Sequence, residues 1–352
     1  MNAIVLTGGG TAGHVMPALA LLPRIANSFD SVFYIGSADG MEKDIVKGRN
    51  IPYYSVSTAK FRRGFSVKNF KILPEVARGY AQARKLLTRL KPAVVFSKGG
   101  YVAVPVVFAA KSLHIPVVTH ESDLTPGLAN RLIAPKAEKV LTAFPETAKR
   151  FPNGEYTGLP VADELFGADK AEALARYGFS GAKPVLLVLG GSQGSKAVNA
   201  ALASALGELL PKFDILHLFG GKNRPICEKS GYKGLAFEGE MRYAYAAADV
   251  AVSRAGASAL FELLALKIPA VVIPLPAGAS RGDQVQNAEY FAAKGVVSLL
   301  YEKNLTPQSL ETAISSVYAD RFNFRRRLSS QYAEGTARAA KILCAFARPE
   351  KN

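Results

Sequence analysis

Ala3-Ile-Val-Leu-Thr-Gly-Gly-Gly-Thr-Ala-Gly-His14 sets a run of apolar and β-branched residues directly before three glycines, and a helical pattern follows from Pro17 to Ser28. A run without polar alternation that stops at glycine reads as a parallel strand buried on both faces, then a turn and a helix. The same order returns at Val185-Leu-Leu-Val-Leu-Gly-Gly-Ser-Gln-Gly-Ser195, after the Pro/Gly-punctuated stretch Phe151–Pro160. Further strands are expected at Ser31–Ile35, Ala93–Phe96, Val117–Thr119 and Val140–Ala143, and then at Ile215–Phe219, Val250–Ser253 and Ala270–Pro274. Helical patterns at Pro74–Leu90, Lys196–Leu210 and Ala257–Leu266 lie between them. This alternation predicts an α/β protein of two Rossmann-like, doubly wound parallel-sheet domains with a cleft between them, since ligands of such sheets bind at strand C-terminal ends. At 352 residues the chain also exceeds what one core usually supports.

Composition narrows the function classes. Hydrophobic residues are 49% and charged residues 20%, an ordinary globular balance. The longest apolar runs, such as Ala103–Ala110, fall short of the about 18 residues of a membrane span. No signal peptide is read at the N-terminus, so a cytoplasmic location is expected. Cys227 and Cys344, with four scattered histidines, make neither a disulfide framework nor a metal cluster, and no two aspartates lie two apart. The expectation is no metal and no cofactor. The net charge of +16 is concentrated between Lys43 and Lys91, where 13 basic residues meet only Asp44 and Glu75. Such a field suits phosphates or an anionic membrane surface, or it serves solubility alone.

Several constellations carry chemistry. The Gly8–Gly10 turn leads to His14 at a loop–helix junction, where an imidazole serves as a general base, a donor to a hydroxyl, or a cap of the helix. Ser97-Lys-Gly-Gly-Tyr101 follows a second strand, and His120-Glu121 with Gly127-Leu-Ala-Asn130 follows a third. All three are expected on one sheet edge. In the second half, the backbone of Gly190–Ser195 and the Ser192 hydroxyl suit a diphosphate. Gly256 opens a helix whose first turn, Ala257–Ala259, offers N–H groups to an anion. Glu262, one turn in and expected to be exposed, can accept two hydrogen bonds from a ribose diol or simply complement the helix dipole. Gln284, in Gly282-Asp-Gln-Val-Gln-Asn287, is a natural reader of hydroxyls.

Together these motifs resemble the MurG family of cell-wall glycosyltransferases, glycosyltransferase family 28. The likeness rests on Gly8–Ala20, Gly99–Pro105, His120-Glu121 with Gly127–Asn130, Gly190–Gly194, and Ser253-Arg254-Ala255-Gly256 through Glu262, and it covers essentially the whole chain. It implies a GT-B fold: an acceptor and membrane domain at residues 1–160, a UDP-GlcNAc domain at 161–333, and a C-terminal helix, 334–352, returning to the first. It implies inverting transfer of GlcNAc from UDP-GlcNAc to lipid I, giving lipid II at the cytoplasmic side of the membrane. The catalytic candidates are His14 and Glu121, of which His14 is preferred as base. Carried over, Thr11, Ala12, Gly13 and Asn130 contact the donor sugar or diphosphate. Gly191 and Ser192 face phosphate, and the backbone near Met241 reads uracil. Arg254, Gly256, Ala257, Ser258, Ala259, Leu260 and Phe261 surround the nucleotide, Glu262 holds ribose and Gln284 binds GlcNAc. Gly99, Gly100 and Tyr101 lie on the acceptor side. The family's pattern is broken at Ala12 (usually Gly), Ala162 (usually Arg), Asp283 (usually His or Gln) and in the looser His217-Leu-Phe-Gly-Gly-Lys222.

A lipid-linked acceptor requires peripheral docking. The expected membrane face is Lys60–Phe70, with Phe61 and Phe65 entering the interface beside Arg62, Arg63 and Lys68. No nucleic-acid motif is present, and cell-wall or division proteins are the expected protein partners. The rival readings are a UDP-GlcNAc 2-epimerase or a diacylglycerol glycosyltransferase on the same fold, and a UDP-sugar sensor or division scaffold without turnover.

Overall fold

The computed structural model describes residues 2–59, 72–191, 193–221, 223–278, 281–328 and 330–347. The chain divides into two compact units, Met1–Ala162 with Glu334–Asn352, and Asp163–Ala333. Unit 1 carries a seven-stranded sheet: β1 (Ala3–Thr7), β2 (Ser31–Gly36), β3 (Tyr53–Ser55), β4 (Val94–Ser97), β5 (Val117–Glu121), β6 (Lys139–Thr142) and β7 (Gly154–Tyr156). Their order is β3-β2-β1-β4-β5-β6-β7 and every pairing is parallel. Unit 2 carries six: β8 (Val185–Leu189), β9 (Asp214–Leu218), β10 (Tyr232–Leu235), β11 (Val250–Ser253), β12 (Ala270–Val272) and β13 (Ser298–Leu299). These run β10-β9-β8-β11-β12-β13, again all parallel.

The apolar strand runs have the expected cause. In β1, alternate residues enter opposite layers: Ile4 and Leu6 pack with Val15, Leu21 and Ile25, while Val5 packs with Ala83, Leu87 and Val106. Both faces are covered, so no strand residue needs a polar face. In each sheet the strand order reverses beside the first strand, between β1 and β4 and between β8 and β11. In doubly wound sheets the strand ends beside such a reversal are where ligands bind.

The Pro17–Ser28 pattern forms two short helices, Met16–Leu19 and Leu22–Ile25, rather than one. Pro23 has no amide hydrogen and so cannot continue the ladder through this point. The four strands absent from the sequence reading, β3, β7, β10 and β13, are the edge strands of the two sheets. Edge strands are short and half-exposed, and they lack the continuous apolar run that marks a central strand. No helix among the described residues is long and apolar enough to cross a membrane.

The C-terminal helix Gly335–Cys344 belongs to the core of unit 1, where Ala339, Ala340 and Leu343 pack with Ile4, Leu21 and Ile25. Its first turn is clasped to the end of the N-terminal segment. The Val161 N–H donates to Thr336 Oγ1 at 2.9 Å, and that hydroxyl donates to the Val161 carbonyl at 2.5 Å. Thr336 is buried. Thr336→Val keeps the shape but leaves a donor and an acceptor unsatisfied, which should cost unit 1 about 1–3 kcal/mol. Calorimetry should show a lower melting transition for this variant and near-normal behaviour for Thr336→Ser.

Candidate functional site

In unit 1, three loops meet at the C-terminal ends of β1, β4 and β5. The first is Gly8–His14. A side chain on Gly10 would strike the Tyr101 ring at 2.8 Å, and one on Gly100 would strike the Gly9 carbonyl at 2.7 Å. Gly99 and Gly100 both have positive φ, +80° and +78°, and a side chain on Gly99 would meet Asn130 Oδ1 at 2.6 Å. These contacts explain the glycines: the turns lie against one another with no room for Cβ atoms. The three motifs expected on one edge are therefore brought together within unit 1.

His14 ends a 3₁₀ turn, Ala12–His14, and is half-exposed. Its Nδ1 lies 3.0 Å from Thr11 Oγ1. When Nδ1–H donates to that hydroxyl, Nε2 keeps the lone pair needed to accept a proton. Thr11 thus orients the ring.

Glu121 and Asn130 have other partners than those expected. Glu121 is buried, and its carboxylate accepts from Asp123 N–H at 3.0 Å, Gly127 N–H at 2.9 Å and Asn130 Nδ2 at 2.9 Å. Asn130 also donates to the His120 carbonyl at 3.2 Å and accepts from Thr119 Oγ1 at 3.3 Å. Both side chains hold the 121–130 loop, because backbone amides turned inward there need acceptors. These bonds make both side chains struts of the loop.

Glu42 was not legible as part of this site. Fully buried at the start of the helix Glu42–Lys47, it accepts from Gly10 N–H at 3.2 Å, Ser37 N–H at 3.1 Å and Ser37 Oγ at 2.5 Å. It braces the first glycine turn from beneath. In sequence it shows only as an acid in a helix's first turn, which the helix dipole explains equally well.

In unit 2, the loops after β8, β9 and β11 converge in the same way. Ser195 caps the helix Lys196–Leu209 and also accepts from Arg254 Nη2 at 2.7 Å. Arg254 Nη1 donates to the Ile273 carbonyl at 3.1 Å, and Nη2 lies 2.5 Å from Glu302. Arg254 therefore ties three strand ends together. Gly191 is exposed, whereas Ser192 lies outside the described residues, as do Phe61, Arg62, Arg63, Phe65 and Lys68, the residues expected at a membrane face. Met241 begins the helix Met241–Ala247.

The helix Ala257–Ala265 starts from Gly256, which has no side chain to cap it, so the first-turn N–H groups of Ala257, Ser258 and Ala259 have no partner within the helix. Leu260 and Phe261 do not reach it: both are fully buried, and Phe261 packs edge-on against Phe291 at 5.4 Å. Their side chains lie on the core face of an amphipathic helix. Gln284 Oε1 accepts from Leu275 N–H at 3.0 Å, which fixes the direction of its amide. His217 is a core residue, with Nδ1 2.8 Å from Tyr232 Oη and Nε2 3.0 Å from Asn199 Oδ1, and burial pushes it down to about 4. No group of three potential metal ligands occurs among the described residues.

Glu262 is half-buried rather than exposed, and its Oε2 accepts from Tyr245 Oη at 2.5 Å. Burial raises its carboxyl from 4.5 to about 7, with the Tyr245 bond opposing. Between these values the folded chain holds a proton that the unfolded chain has shed. The group's contribution to stability is therefore present below pH 4.5 and is lost as pH rises through about 7. Glu262→Gln should melt progressively higher than the parent as pH goes from 4.5 to 7.5. A melting difference that stays constant over this range would place the carboxyl in solvent.

The chain's likeness to known proteins agrees with this geometry. The glycosyltransferase family 28 N-terminal domain matches residues 4–142, and the family 28 C-terminal domain matches residues 185–342. A UDP-N-acetylglucosamine–N-acetylmuramyl-(pentapeptide) pyrophosphoryl-undecaprenol N-acetylglucosamine transferase of Lachnospira eligens is 47% identical over 329 residues, covering 92% of this chain and 93% of its own. The enzyme of the same name from Geobacillus kaustophilus is 46% identical over 333 residues, with 92% and 93% covered. Among solved structures, MurG of Acinetobacter baumannii superposes with a TM-score of 0.70 at 25% identity, over 99% of both chains. The chain belongs to glycosyltransferase family 28 and is a glycosyltransferase of the GT-B fold.

Proposed function

We propose that the chain transfers GlcNAc from UDP-GlcNAc to the lipid-linked acceptor lipid I, forming lipid II with inversion at the sugar. The observation that carries the reading is the helix Ala257–Ala265, with an uncapped N-terminus for an anion and a carboxyl one turn in for a diol, in a family 28 chain. Unit 2 holds the donor. The N–H groups of Ala257–Ala259 and the Gly190–Gly191 turn meet the diphosphate. Glu262 Oε1 accepts from the ribose while Tyr245 occupies Oε2. Gln284 meets the sugar through Nε2, since Oε1 is engaged.

Unit 1 holds the acceptor at the Gly99–Tyr101 turn. His14 Nε2 takes the proton of the attacking C4 hydroxyl, whose oxygen forms the new bond to C1. The C1–oxygen bond to UDP breaks, and its electron pair leaves with the diphosphate, stabilised by helix-end N–H groups. Glu121, saturated by three N–H donors, maintains the loop and leaves the proton to His14. With UDP-GlcNAc labelled in the sugar, label should pass to lipid I. His14→Ala should lower kcat by about 10²–10⁴-fold with little change in donor KM. Label retained as free ManNAc without acceptor would support an epimerase instead.

The membrane attachment we propose is peripheral and lies on unit 1. Among its described residues, unit 1 exposes Leu73, Phe108, Leu128 and Leu132. Phe108 lies under Lys136, whose Nζ is 5.9 Å from the ring centre, with Lys111 on the same helix. An exposed ring beside a lysine suits an anionic bilayer surface. Leu128→Glu with Leu132→Glu, and separately Arg62, Arg63 and Lys68 each changed to Glu, should reduce co-sedimentation with anionic vesicles. Full retention by both variants would locate the membrane face elsewhere.

A further inference from the structure

The Lys98 side chain has no part in the reaction as described, yet it lies at the centre of the unit 1 site. Only 1% of it is exposed. It stands between the loops: its Cβ is 3.1 Å from where a side chain on Gly8 would begin, and it immediately precedes the Gly99–Gly100 turn. Its Nζ donates to Ser122 Oγ, in the loop that Glu121 holds. A lysine is almost never fully buried without a reason, and an apolar side chain of similar volume is usually as stable or more so. Helix and sheet packing alone do not require this charge.

The surroundings are arranged for a cation. Glu121 and Asp123, at the end of β5 and in the loop after it, act on Lys98 and favour the charge. His120, fully buried at the end of β5, is kept neutral by burial and by the Lys98 charge. Its Nε2 lies 2.9 Å from the Gly158 carbonyl, and its Nδ1 has no hydrogen-bond partner among the described residues. On the β1 side Lys98 meets the Gly8 turn, where Gly8–Gly10 carry no titratable side chain. The ammonium is thus tied through Ser122 to the loop that also contains Asp123 and Gly127, and a second cation, Arg131, is bonded to the same loop through the Pro126 carbonyl at 3.1 Å.

We infer that Lys98 is a positioning residue for acceptor transfer: its buried ammonium, held on Ser122, fixes the 121–130 loop against the Gly99–Gly100 turn so that acceptor and His14 meet in register. The inference rests on the transfer reading. Lys98 does not touch substrate; it acts through Ser122 and the loop. Burial pushes its ammonium down from 10.5 to about 8, so the tie is charged at neutral pH and weakens in mild alkali. Activity and stability then respond oppositely. Between pH 8 and 10.5 the unfolded chain holds a proton that the folded chain has released, so the destabilisation by this buried charge is full below pH 8 and is relieved as pH rises.

The test compares wild type, Lys98→Met and Ser122→Ala in label transfer from UDP-GlcNAc to lipid I between pH 6.5 and 9.5, with melting curves at each pH. Wild-type kcat/KM for the acceptor should fall above about pH 8 while the chain melts no lower. Lys98→Met should lose roughly 10–100-fold in that parameter at pH 7, keep its donor KM, lack the alkaline fall, and melt at or above wild type. Ser122→Ala should move the alkaline fall to lower pH, because the charged form loses its acceptor. Lys98→Met with wild-type transfer at every pH would overturn the inference. So would a loss of activity matched by a loss of melting temperature, or a Ser122→Ala profile that does not move. A wild type that transfers no label would bring down the transfer reading itself, and this inference with it.

Discussion

A backbone amide or carbonyl taken out of water must find a partner, and this requirement shapes both sheets and both sites. Within the sheets the parallel ladders satisfy it. At the C-terminal ends of the strands the ladders stop together, and the loops must turn sharply without water to solvate them. Glycine turns packed against one another solve the steric half of that problem, as at Gly10, Gly99 and Gly100. Buried polar side chains solve the other half: Glu42 beneath the first turn, Glu121 and Asn130 in the third loop, and Arg254 across three strand ends of unit 2.

The same requirement divides the polar residues of the sites into two kinds. Those saturated by the protein's own backbone hold shape, and in the proposed reaction the half-exposed ones meet the substrates. Glu121 spends its carboxylate on three N–H groups, whereas the His14 ring is oriented by Thr11 at a half-exposed position. Glu262 stands between the two kinds, with one oxygen on Tyr245 and the other for a ligand, at the cost of a carboxyl raised to about 7. Electrostatic preorganisation of this sort is effective because the groups are already fixed and partly desolvated before substrate arrives. A buried lysine at Lys98 fits this pattern, since a charge that destabilises the fold persists most readily where function needs it.

Central strands were legible because burial on both faces leaves an unbroken apolar run: β1, β8 and β11 coincide with the runs read from the chain. The edge strands β3, β7, β10 and β13 escaped because an edge is half-exposed, and Tyr53-Tyr-Ser55 or Gly154-Glu-Tyr156 carries no such run. Pro23, inside one apparent helical pattern, divides it in two, a consequence visible only when the missing hydrogen bond is placed in the ladder. Motif residues were found because glycine clusters and a histidine at a strand–helix junction are rare. Their supports were not, because Glu42, Tyr245 and Thr336 are ordinary residues in ordinary local sequence.

By itself, the sequence determined the α/β alternation, the two strand–glycine–helix repeats and the identity of the motif residues, since periodicity and glycine placement are local properties of the chain. It also carried the resemblance to family 28. Only the tertiary structure decided which partners each of those residues has. Whether Asn130 meets a sugar or its own loop depends on Thr119, His120 and Glu121 arriving around it. Whether Glu262 is an exposed acid or an enclosed one depends on Tyr245, seventeen positions away in sequence. Hydrogen-bond saturation and desolvation are set by neighbours that folding brings from elsewhere in the chain, and no local pattern encodes them.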